Sequence, residues 1–231
     1  MDMQDGQGGF CLRPVCHPLF LMLFFVFGFF AVCACAQENE SHRALDRWLD
    51  QQSAIRTLSA SFEEIRSLKG LKEPLRSYGK MWYQAPGKFR WQLGEPPRSI
   101  LLRDGERVQW VDMKKMRMRD VSKGMGEGGI GFVPVLLGRE EFYRRFEVAS
   151  IKKEGKNYQV EARPTSKRLS AGMERLVFAF GEGKEDLNFF EIWFRDGSMV
   201  RNAFSNIVRD KPIPESVFRI DLKEFHHETQ P

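Results

Sequence analysis

The spacing of apolar positions along this chain changes twice. Leu19 to Ala34 (LFLMLFFVFGFFAVCA) is an unbroken apolar run. From Glu38 to Ile55 apolar residues fall at Ala44, Leu45, Trp48, Leu49 and Ile55, the spacing of an amphipathic helix, with Asn39 or Ser41 placed to cap it. From Leu58 onward the period becomes two. Leu58, Ala60 and Phe62 alternate with serines, Gly79, Met81 and Tyr83 with Lys80 and Trp82, and Phe89, Trp91 and Leu93 with Arg90 and Gln92. The alternation runs on through Ile100 and Leu102, Val108 and Trp110, and Met116 and Met118. Turn signals such as Ala85-Pro86-Gly87, Glu95-Pro96-Pro97 and Asp104-Gly105 separate the runs, which predicts an antiparallel meander.

The glycine-rich stretch Ser122 to Gly131 reads as a loop, and Phe132 to Phe146 as one or two short helices. Strands are predicted again at Phe146 to Lys152, Tyr158 to Arg163, Arg175 to Phe180, Asn188 to Arg195, Ser198 to Val208 and Val217 to Leu222. About eleven strands in one sheet must curl to manage their edges. The expectation is therefore a mainly β fold: a curved antiparallel sheet forming a half-open barrel, with an N-terminal helix and a helical lid.

The apolar run sets the domain limits. Its sixteen residues fall short of the ~20 that span a bilayer comfortably, and Ala34-Cys35-Ala36 follows it. Residues 1–36 thus read as a secretory signal peptide and 37–231 as the exported domain. Val32-Cys33-Ala34-Cys35 also loosely matches a lipobox, in which Cys35 would carry lipid, and this alternative stays open. All four cysteines lie within residues 1–36, so the domain has no disulfide and rests on its core alone. It keeps 35 basic and 29 acidic residues, a modest excess mixed throughout.

Catalytic chemistry finds little support. Between Arg43 and Phe225 there is no histidine and no cysteine, which removes nucleophile–histidine arrangements and imidazole or thiolate metal sites. Glu63-Glu64, Glu140-Glu141 and Glu185-Asp186 read as solvated charge. Gly124, Gly126 and Gly129 match a dinucleotide loop in spacing but not in context, because Pro134 breaks the helix it needs. The lysines and arginines alternate with aromatic residues and so fall on the opposite strand face, which separates stacking from phosphate contact and argues against nucleic acid. The reading is a non-enzyme with no metal and no cofactor. What remains is the apolar face: thirteen phenylalanines, five tryptophans and seven methionines follow residue 36. As a set they suggest a lipid-sized cavity, with Met81, Tyr83, Phe89, Trp91, Leu93, Ile100, Leu102, Met116, Met118, Phe178, Phe180, Ile192 and Phe194 as its candidate lining.

Gly79-Lys80-Met81-Trp82, then Ala85-Pro86-Gly87-Lys88-Phe89-Arg90-Trp91, then Ser99-Ile100-Leu101-Leu102-Arg103-Asp104-Gly105 with Val108-Gln109-Trp110, resembles the LolA family of outer-membrane lipoprotein carriers. Leu58 to Phe62, Phe132 to Leu137 and Phe204 to Phe218 extend the likeness to about 180 residues. The resemblance implies an incomplete barrel lidded by helices around an acyl-chain cavity. It implies a periplasmic monomer whose cargo is triacylated lipoproteins, received from an inner-membrane ABC-type release complex and passed to an outer-membrane receptor. The family arginine that latches the lid falls at Ala85 here, leaving Arg90 as the candidate latch. Two other roles stay open for the same fold: an outer-membrane-anchored lipoprotein receptor or a carrier of another glycolipid, and a sensor or interaction domain.

Overall fold

The computed structural model describes residues 39–122, 137–183, 186–221, 223 and 225–228. The period-two runs become β1 (Thr57–Ser67), β2 (Leu75–Gln84), β3 (Lys88–Leu93), β4 (Ser99–Asp104), β5 (Arg107–Asp112) and β6 (Arg117–Asp120). After helix α2 (Arg139–Arg145) come β7 (Phe146–Glu154), β8 (Asn157–Pro164), the short α3 (Lys167–Ser170), β9 (Met173–Gly181), β10 (Leu187–Phe194) and β11 (Met199–Arg209). A 3₁₀ turn (Glu215–Phe218) and β12 (His226–Glu228) close the chain.

All twelve strands join one sheet in the order β12-β6-β5-β4-β3-β2-β1-β11-β10-β9-β8-β7. Eleven are antiparallel to their neighbours, and β12 adds to β6 in parallel. The sheet is two meanders joined at its middle, where β1 pairs with β11. Among the described residues its ends, β7 and β12, are not hydrogen-bonded to each other, so the sheet stays open there. Register shifts mark bulges at Ser59/Ser61, Val148/Ser150, Leu187/Phe189 and Trp193/Phe194, where an extra residue sharpens twist and bend.

Helix α1 runs through residues 41–53 and buries Ala44, Leu45, Trp48 and Leu49, the face its spacing predicts. That face packs with Leu58, Ala60 and Phe62 of β1, Met81 of β2, Phe89 of β3 and the apolar residues of β7 to β10 in the larger of two cores. We call the side of the sheet that α1 covers its inner face. Helix α2 has acidic residues in its first turn and basic ones in its last, matching the helix dipole. It buries Phe142 in the same core and is tied to α1 by Arg139 to Asp46 (2.9 Å) and by Tyr143 Oη donating to Asp46 Oδ1 (2.7 Å).

The outer face has a cover of its own. Beyond β11 the chain crosses it, and Ile213, Val217, Phe218, Ile220 and Phe225 pack with Ile100, Leu102, Val111 and Met118 in the second core. The expected strand at Val217–Leu222 is instead a 3₁₀ turn ending at Phe218. Ile213, Val217 and Ile220 recur at three and four residues rather than two, and Pro214 leads into the turn. The expected loop at Ser122–Gly131 and helix at Phe132–Phe146 lie largely outside the described residues, and α2 supplies the latter's end.

Candidate functional site

Cross-strand register decides which side chains share a face. On the inner face one row runs Ala60, Met81, Trp91, Leu101, Trp110, and beside it runs Leu58, Tyr83, Phe89, Arg103. A third row runs from Phe204 through Phe62 and Gly79 to Leu93. Across the β1–β11 seam, Phe190 and Phe178 continue toward Val160.

Rings on this face form two linked groups. Trp48 of α1 stacks on Phe180 (centroids 4.9 Å) and Phe178 (5.4 Å), while Tyr158 also stacks on Phe180 (5.3 Å). Through Trp48 and Phe142, both helices place rings on β9. Phe62 lies on Trp91 (3.9 Å), and Trp91 meets Phe204 (6.2 Å) and Phe190 (6.4 Å). Among the described residues, every ring that Trp91 meets belongs to a strand. Phe62 is 2% exposed, whereas Trp91, Phe204, Tyr83, Leu93 and Leu101 are only half-buried. The inner face thus offers partly exposed apolar surface around Trp91, and a crevice of about 70 Å³ is lined by α1 and β9 residues beside Trp48, Tyr158 and Phe180. The indole Nε1 of Trp48 is buried without a hydrogen-bond partner.

Polar groups on this face are few. Burial pushes the Tyr83 phenol up, and Arg103 nearby pulls it partly back. Glu64, 4% exposed, accepts from Arg66 Nε at 2.6 Å. Asn202 is its cross-strand partner on β11. Among the described residues no group of three His, Cys, Asp or Glu side chains is arranged to hold a metal ion.

Nine of the thirteen candidate lining residues come together on the inner face: Met81, Tyr83, Phe89, Trp91, Leu93, Phe178, Phe180, Ile192 and Phe194. The other four do not. Ile100, Leu102, Met116 and Met118 lie under the C-terminal segment, because Ile100 pairs with Gln92 and Val111, and Leu102 with Arg90, all on the outer face. Their alternation is real, but its phase is opposite to that of Trp91. Arg90, the candidate latch, also lies outside. Its Nη1 donates to the Val217 carbonyl (2.9 Å), its Nη2 donates to Gln92 Oε1 (2.8 Å), and it covers the Trp82 ring at 5.7 Å. Arg90 ties down the C-terminal segment on the face away from α1. The list missed Phe62, Phe190 and Phe204, although Phe62 sits in the alternating run from Leu58 and Phe204 in a predicted strand.

Residues 53–221 match the family described as outer membrane lipoprotein carrier protein LolA. An outer-membrane lipoprotein carrier protein of Dechloromonas aromatica is 26% identical over 176 residues, covering 76% of this chain and 82% of its own. One from Legionella pneumophila strain Paris is 28% identical over 206 residues, covering 88% and 94%. A solved LolA superfamily protein from Nitrosomonas europaea superposes with a TM-score of 0.42 at 7% identity, covering 76% of this chain and 98% of that one. With well over half of its length matched, the chain belongs to the LolA family of outer-membrane lipoprotein carriers.

Proposed function

We propose that this protein shields the acyl chains of lipoproteins against its inner face and moves them through the periplasm from the inner to the outer membrane. One observation carries the reading: the half-buried aromatic surface of Trp91 and Phe204 over Phe62 on the inner face. An acyl chain of ~15 methylenes gains about 12 kcal/mol on leaving water, so it needs such a shield to cross an aqueous space. A membrane offers a similar gain, so the shield must hold its cargo no more tightly than the acceptor does. A surface made mostly of aromatic rings grips largely by area, which suits chains of differing length. The orphan indole of Trp48 and the crevice beside it support α1 as the element that shifts when chains enter. An ABC-type release complex on the inner membrane and a receptor on the outer membrane are the partners this role requires.

Native mass spectrometry of the protein purified from its own periplasm tests the reading. A chain beginning at Gln37 with a bound triacylated lipopeptide is expected. A diacylglyceryl group on Cys35 makes it an anchored receptor instead, and an empty chain that stays empty when supplied with triacylated lipopeptide overturns the carrier role.

A further inference from the structure

The two ends of the sheet differ in charge. Five connections lie at the end where β1 stops and β2 starts, as the register of every intervening pair requires: 68–74, 94–98, 113–116, 165–172 and 195–198. They carry Lys69, Lys72, Arg98, Lys114, Lys115, Lys167, Arg168 and Arg195 against Glu73, Glu95 and Asp196. The described connections at the opposite end hold Arg56, Lys156 and Lys211 against Glu106, Glu182, Asp186 and Asp210. One rim is strongly basic and the other close to neutral.

Apolar exposure gathers at the basic rim as well. Of six large hydrophobic residues exposed among the described residues, four sit at the β1–β2 tip: Leu68, Leu71, Leu75 and Tyr78, at 41%, 51%, 50% and 68%. Lys69 and Lys72 stand between the leucines in sequence and are exposed with them. Hydrogen bonds tie the turns to one another and to the strands, with Met113 N donating to Arg98 O (2.9 Å), Arg195 N to Gly172 O (3.2 Å) and Arg98 Nη2 to Ser77 Oγ (2.9 Å). The charges are therefore presented as one surface.

We propose that this rim docks the protein on the surface of anionic phospholipid bilayers, with lysines and arginines at the headgroups and the leucines of the β1–β2 tip in the interfacial layer. Cations draw the body to an anionic surface over roughly a Debye length, and apolar side chains then hold it there. An acidic protein partner would satisfy the charges but would leave three solvent-facing leucines unexplained. The inner-face rows run across the strands, parallel to this rim, and the row Phe204, Phe62, Gly79, Leu93 is the one nearest to it. The inference stands on the rim alone and does not depend on what the inner face carries.

The test is partitioning of the mature protein onto vesicles of phosphatidylethanolamine with phosphatidylglycerol, against vesicles of phosphatidylcholine alone. Binding to the anionic vesicles that weakens with salt is expected. The variant K69E/K72E/K114E/K115E is expected to lower the partition coefficient by roughly a hundredfold or more, and L71S/L75S by about tenfold. Lys156→Glu at the other rim is expected to change it little. All variants share one N-terminus, so any contribution from it cancels. Unchanged partitioning of the rim variants, or capture by an acidic protein with no affinity for anionic vesicles, overturns the proposal. Should the fourfold variant fail to fold by circular dichroism, K114E/K115E on its separate turn decides.

Discussion

The ring of Phe62 lies on Trp91, with centroids 3.9 Å apart and planes 25° from parallel, and reaches it by crossing the bare Cα of Gly79, its partner on β2. A Cβ on Gly79 would stand 2.2 Å from Phe62 Cζ and 2.4 Å from the Gln92 carbonyl oxygen. The ring has somewhere to turn, but the carbonyl belongs to β3 and cannot retreat without opening the β2–β3 ladder. Gly79→Ala is therefore expected to destabilise the fold by about 2–3 kcal/mol. A urea midpoint equal to that of the parent would show that β3 has room to spare.

Trp48 separates packing from polarity. Trp48→Ala removes both ring stacks of α1 on β9 and is expected to cost about 3–5 kcal/mol. Trp48→Phe keeps a ring there and deletes a buried N–H that has no partner, so it should cost under about 1.5 kcal/mol. Thermal melts of the two variants check this. Equal losses would mean that the indole N–H is satisfied by water.

Arg90 and the inner-face aromatic surface lie on opposite faces, so they should fail independently. Arg90→Ala is expected to speed hydrogen exchange across residues 213–220 by tenfold or more while leaving the uptake of triacylated lipopeptide near that of the parent. Lost uptake with unchanged exchange would restore Arg90 as a latch.

Two ionisable contacts set opposite pH limits. Lys88 holds the Glu215 carboxyl below its usual range, through contacts of 2.6 and 2.7 Å. A depressed folded-state pKa contributes stability that is present above the unfolded value of about 4.5 and is lost as pH falls through the folded one. Exchange in 213–220 should therefore rise on acidification, and Glu215→Gln should already be loose at neutral pH and insensitive to acid.

The second limit is alkaline. Burial, then the hydrogen bond to Asp46, raise the Tyr143 phenol well above its ordinary value of 10.0. That contribution is complete below about pH 10 and is lost as pH rises through the folded value. The parent should lose stability above pH ~10 relative to Tyr143→Phe, and parallel urea titrations of the two would show it. Curves that stay parallel would mean that α1 and α2 are not joined through this phenol.

The alternation from Leu58 to Trp110 made the strands legible, because a pleated strand with one apolar face must repeat every two residues. It did not reveal which apolar face is inner, since each turn can reset the phase. Ile100-Leu101-Leu102 carried the missing signal. Three successive apolar residues in a strand imply cover on both sides, with Leu101 toward Trp91 and its neighbours toward Phe218. The C-terminal cover was harder to read, because a segment that packs through Ile213, Val217 and Ile220 has neither a strand period nor a helix of useful length. The latch reading of Arg90 rests on its distance from Ala85, five residues back, whereas its own parity within β3 points outward.

The seam between β1 and β11 also fixes the order in which the molecule can be finished. Arg56 N donates to Asp210 Oδ1 across 154 positions of chain, so the first strand lacks its second neighbour until the eleventh has been made. Contact order is therefore high at the centre of the sheet, the part that stabilises everything around it. Each meander can form from sequence-adjacent strands, but the pairing that joins the two comes late. A nascent chain released without β11 would expose the edges of β1 and β10 together, two long pairing templates in one fragment, and would aggregate rather than wait.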